Sequence, residues 1–100
     1  MARYISLGRH TREGAITVKE GAQRYAKARE YLKTLNVKVL DFYATLGPYD
    51  YVLISEAPND PATVFKAAAF VNAFGAVSWT ILPAMPYQDF ITAIKDLPTP

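Results

Sequence analysis

Two runs of alternating apolar residues, Val37 to Leu46 and Tyr51 to Ala57, stand on either side of Gly47-Pro48-Tyr49-Asp50. A period of two marks a β-strand, and short Gly/Pro/Asp punctuation between two such runs marks a hairpin. Helical patterns flank this hairpin on both sides. Upstream, Tyr25, Ala28, Leu32 and Leu35 recur at spacings of three and four from about Ala22, and Asn36 is a stop. Downstream, Asp60 is an N-cap, Pro61 suits the first helical position, and the pattern runs to Phe74 before Gly75 ends it. One further strand remains at each end, over residues 2–8 and from Ala76 to Leu82, where Pro83 closes it. A short helical turn from Arg12 to Glu20, capped by Thr11 and interrupted by Gly21, joins the first strand to the first long helix. Pro86 opens a last helix, Tyr87 to about Asp96.

That order is the split βαβ plan. The expected fold is α+β, ferredoxin-like βαββαβ with a C-terminal helix, and a four-stranded antiparallel sheet covered by helices on one side. One hundred residues suit a single domain over 1–100.

Composition removes several function classes. There is no cysteine, which excludes a disulfide scaffold, a zinc ribbon and a thiol nucleophile. With His10 the only histidine, no metal site is expected. No phosphate loop, dinucleotide fingerprint or nucleophile elbow occurs, so no cofactor is expected. The first eight residues lack a long apolar run, and the most apolar stretch, Ala67 to Phe74, is far short of the ~20 residues that span a bilayer. The expectation is a cytoplasmic protein with no membrane partner. The net charge of +2 hides an asymmetry: residues 1–40 carry nine Lys/Arg and three Glu, residues 41–100 two Lys and six acids. One reading is a solvated basic helix, and the sharper one is a basic patch for an anionic ligand or an acidic partner.

Alternation alone places Leu40, Phe42, Val52 and Ile54 under the helices. The opposite, open face then carries Tyr4, Ser6, Val39, Asp41, Tyr43, Thr45, Tyr51, Leu53, Ser55, Ser78 and Thr80. Such a mixed apolar and hydroxyl surface marks an interaction site. The second long helix is apolar on nearly every side, from Val64 through Phe74, and needs burial on more than one side. Both features point to a homo-oligomer, most simply a two-fold dimer through the open sheet face, with a hydroxyl-lined cavity between sheets.

The turn Gly47-Pro48-Tyr49-Asp50 and the strand exit Glu56-Ala57-Pro58-Asn59-Asp60 resemble the signature of the GYD domain family. Tyr4-Ile5-Ser6-Leu7, Thr11-x-x-Gly14, Asp41 to Gly47 and Thr80 to Ala84 resemble its other segments, so the likeness spans about residues 3–91. The resemblance implies a small protein of the dimeric α/β-barrel type. It carries over no catalytic residue. Pro48 within the turn and the Ala- and Phe-rich second helix depart from the family pattern.

The chemistry-bearing candidates are few. His10 suits general acid–base work at a sheet edge. Asp41, with Tyr43 and Tyr4 nearby on the expected open face, suits a base or orienting group. As a ligand-binding set the sequence offers Tyr4, Ser6, Asp41, Tyr43, Tyr49 and Tyr51. RNA-recognition domains share this strand–helix order, but Asp50 would repel phosphate and the strand-three signature is lacking, so no nucleic-acid partner is expected. Three readings follow: a homo-oligomeric module holding a small, partly apolar ligand between sheets; a cofactor-free oxygenase or isomerase using Asp41, Tyr43 and His10; and a purely structural interaction module.

Overall fold

A computed structural model describes residues 1–100. The elements follow the expected order: β1 (Ala2–His10), α1 (Arg12–Ile16), a 3-10 turn (Val18–Glu20), α2 (Gly21–Thr34), β2 (Lys38–Ala44), β3 (Tyr51–Ala57), α3 (Pro61–Ala73), β4 (Val77–Ala84) and α4 (Tyr87–Ala93). All strand pairs are antiparallel, in the order β2-β3-β1-β4.

Local chemistry fixes the boundaries. Thr11 caps α1 by accepting the Gly14 N–H, and Asp60 caps α3 by accepting the Ala62 N–H, with Pro61 in the first turn. Asn36 (φ 59°) and Gly75 (φ 70°) take the left-handed conformation that ends α2 and α3. Gly21 opens α2 rather than interrupting a helix, because its φ of −58° is already helical. Pro83 does not end β4. It pairs with Tyr4 inside the strand, tolerated because β4 is outermost and its free side needs no N–H.

The register corrects the expected faces. Paired residues share a face, and Tyr4↔Ser55, Ser6↔Leu53 and Gly8↔Tyr51 lie on the helix side together with Val39 and Phe42. Val52 and Ile54 pair with Leu7 and Ile5 on the open side. Asp41, Tyr43, Ser78 and Thr80 are on the open side as expected. Two causes produced the inversion. The register shifts between Val39 and Asp41, leaving Leu40 as a bulge residue that is 41% exposed and changing the parity of β2 midway. In β3 both faces are apolar, so alternation cannot choose between them.

The helix layer sits loosely. Only seven residues are buried, among them Ala28 and Leu32 of α2, Ser55 and Ala57 of β3, and Ala76. α4 packs substantially on no other element, and its Tyr87 and Phe90 remain exposed. The accessible surface is 7191 Å², against about 5,700 Å² for a compact monomer of this mass.

Candidate functional site

The turn between β2 and β3 folds back onto the end of β1. Gly47 has φ 105°, a conformation that favours glycine. The Thr45 N–H donates to the Asp50 carbonyl at 2.8 Å, and the Thr45 hydroxyl donates to the Tyr49 carbonyl at 2.6 Å. These bonds close the loop. The Asp50 N–H then donates to the Gly8 carbonyl at 2.8 Å, extending the sheet, and Asp50 Oδ2 accepts the His10 backbone N–H at 2.7 Å. A turn carboxylate ordinarily satisfies a backbone N–H within its own turn; here the donor lies across the sheet.

The same Asp50 oxygen lies 3.7 Å from His10 Nδ1, and His10 Nε2 lies 2.9 Å from the Tyr51 hydroxyl. The His10 and Tyr51 rings meet edge to face, with centroids 5.0 Å apart. A carboxylate on the Nδ1 side favours the tautomer protonated there. Nε2 then accepts the Tyr51 O–H, and the phenolic oxygen keeps its acceptor lone pairs. Asp50, His10 and Tyr51 thus form one polar line at the end of the sheet.

This line borders a cavity of 320 Å³ between the sheet and helices α2 and α3. One wall is a run of rings. Tyr25 lies 4.9 Å from Phe42, Phe42 lies 5.5 Å from Tyr51, and Trp79 lies 6.3 Å from both Phe42 and Tyr51, centroid to centroid. Gly8 gives this wall its shape. A Cβ there would come within 2.8 Å of the Trp79 ring, so the indole lies over the glycine backbone. Small residues, Ala22 and Ala28 of α2 and Ala76 before β4, keep the opposite side open. Arg24 also lines the cavity. Its guanidinium donates to the Thr17 hydroxyl at 3.1 Å and to the Thr17 carbonyl at 3.0 Å, and it has no carboxylate partner.

The candidates named from sequence fall into separate places. Tyr51 and His10 border this cavity, whereas Tyr4 and Ser6 line a smaller void of 80 Å³ beside it in the helix–sheet layer. Asp41 and Tyr43 are exposed on the open face, opposite to His10, and Tyr49 belongs to the turn. The grouping of Asp41, Tyr43 and His10 therefore does not form. The expected hydroxyl-lined cavity between sheets also loses Tyr4, Ser6, Tyr51 and Ser55, which face the helices instead. Sequence reasoning passed over Arg24, Phe42 and Trp79 as site residues. Arg24 reads as a solvated charge off the apolar stripe, and only the position of α1 shows that it turns inward.

The open face carries a different chemistry. Ile5, Leu7, Val52 and Ile54 form its centre, with Leu82 and Tyr43 beside them. Arg3 and Glu56, facing each other across β1 and β3, pair at 2.9 Å on the same side. No helix of the chain is long and apolar enough to cross a membrane.

The family model for the GYD domain matches residues 4–94. A protein of Thermus thermophilus, named glutamine synthetase and cystathionine beta-lyase binding protein, is 35% identical over 96 residues, covering 95% of this chain and 100% of that one. Among solved structures, the C-terminal domain of the MgtC protein of Mycobacterium tuberculosis aligns over 84% of this chain and 88% of its own, with 9% identity and a TM-score of 0.49.

Proposed function

The chain belongs to the GYD domain family, and on that footing we propose that it is a homodimeric binding module that docks onto other proteins, metabolic enzymes among them. The observation that carries this reading is the uncovered sheet face centred on Ile5, Leu7, Val52 and Ile54. An apolar surface of this kind, flanked by the Arg3–Glu56 pair, suits contact between proteins. Basic Arg3 and Arg9 and acidic Glu56 and Asp41 share the face, so it offers charges of both signs to a second copy.

Pairing two copies through the sheet leaves the outer side of α3, with Phe65 76% exposed, and α4, with Tyr87 71% exposed, for a third party. The relative's name supports enzymes as that third party. The alternative of an oxygenase or isomerase built on Asp41, Tyr43 and His10 loses its support, because those side chains lie on opposite faces of the sheet.

The test has two stages. Light scattering at micromolar concentration is expected to give twice the 11.1 kDa chain mass. Sedimentation with purified glutamine synthetase and cystathionine β-lyase from the same host is then expected to give a co-migrating species. A monomer mass, or independent sedimentation from both enzymes, overturns the proposal.

A further inference from the structure

We infer that the cavity between the sheet and α2 is a binding site for a small aromatic carboxylate. The inference goes beyond partner docking and does not depend on it, since this cavity lies on the opposite side of the sheet from the open face.

Three observations carry it. First, the cavity's 320 Å³ sits at the lower end of the ~300–1,000 Å³ typical of small-molecule sites, so its occupant is of one- or two-ring size. Second, the continuous wall from Tyr25 through Phe42 and Tyr51 to Trp79 offers ring faces and edges. Aromatic side chains favour a ring partner in offset or edge-to-face contact. Gly8 keeps the Trp79 indole flat against the sheet, leaving that space to a ligand. Third, Arg24 brings a positive charge to a predominantly apolar lining, with no carboxylate of the chain paired to it. Two of its N–H groups are spent on Thr17, and the guanidinium has five. The remaining donors suit a carboxylate, for which arginine geometry is well matched. No acid lines the cavity, and Asp50, beside His10, is already committed to the His10 N–H.

Tyr51 adds a second polar contact. In the His10 tautomer protonated at Nδ1, the Tyr51 O–H donates to Nε2, and its oxygen is free to accept a hydrogen bond from a ring hydroxyl or N–H on the ligand.

Trp79 is the only tryptophan and lines the cavity, so intrinsic fluorescence reports occupancy directly. The probes are phenylacetate and its neutral isostere phenylacetamide. Phenylacetate is expected to change Trp79 emission saturably at millimolar concentration and to bind about tenfold tighter than the amide, as a charge-assisted hydrogen bond dictates. Arg24→Gln is expected to remove that preference while leaving amide binding unchanged. Ala22→Phe, at an exposed position on the rim, is expected to abolish both responses, with an unchanged circular dichroism spectrum. Three results overturn the inference: no saturable response to phenylacetate, equal affinity for acid and amide in the unmodified protein, or an undiminished preference in Arg24→Gln. None of these bears on the light-scattering or sedimentation tests of partner docking.

Discussion

Asp50 and His10, forty residues apart in sequence, are joined by a 2.7 Å hydrogen bond from the His10 backbone N–H to Asp50 Oδ2. This bond, with the Asp50 N–H bonded to the Gly8 carbonyl, fastens the β2–β3 turn to the end of β1. It gives the Asp of the Gly-x-Tyr-Asp signature a structural role that spans the sheet.

Asp50→Ala leaves the His10 N–H without its acceptor and frees the loop. The Asp50 side chain is 40% exposed, so water compensates in part. The expected loss of folding stability is about 1–2 kcal/mol, read from the urea midpoint. A midpoint equal to that of the unmodified protein would show that the bond contributes nothing.

Gly14 and Gly21 respond to alanine with opposite signs. A Cβ on Gly14 would lie 1.8 Å from the Ala76 carbonyl oxygen, where backbone meets backbone and neither can yield cheaply. Gly14→Ala is expected to cost about 2–3 kcal/mol, lowering the melting temperature by roughly 10 °C. A Cβ on Gly21 meets nothing within 4 Å, and its backbone is helical. Gly21→Ala is expected to stabilise by about 0.5 kcal/mol. Paired thermal melts decide both.

Ile54 lies in β3 on the open face, paired with Ile5 of β1. Ile54→Lys places a charge in the centre of the surface proposed to pair two copies, where an unpaired charge is costly to bury. The mass by light scattering is expected to fall to that of one chain, with the circular dichroism spectrum retained. A dimer mass in the folded variant would move the interface elsewhere.

Arg3 and Glu56 form the ion pair beside that surface, with side chains 39% and 27% exposed. For an isolated chain, breaking such a pair costs no more than about 1 kcal/mol. Arg3→Ala is therefore expected to alter stability slightly, and the difference from the unmodified protein shrinks as salt is added. Urea titrations at two ionic strengths check this.

The order of elements was legible because punctuation and capping are local. Asp60-Pro61, Gly75 and the Gly47 turn each act within a few residues, and each is found where the spacing predicts it. Which face of the sheet meets the helices was not legible. Ile54 and Leu53 are equally apolar, and the bulge at Leu40 follows from hydrogen-bond register rather than side-chain type. His10 and Tyr51 were both visible as candidates, yet their partnership depends on the correct face. Arg24 was hidden for a related reason: helical periodicity sets it off the apolar stripe, and only its bonds to Thr17 turn it toward the cavity.

The bulge at Leu40 and the proline at position 83 occupy the two outermost strands, β2 and β4. A free strand edge is a template on which further chains can add without limit. Here one edge is bent out of register and the other lacks an N–H, so lateral growth is blocked on both sides. A chain with this much exposed apolar surface is thereby steered away from fibres. The proposed face-to-face pairing of two copies, by contrast, closes on itself and stops.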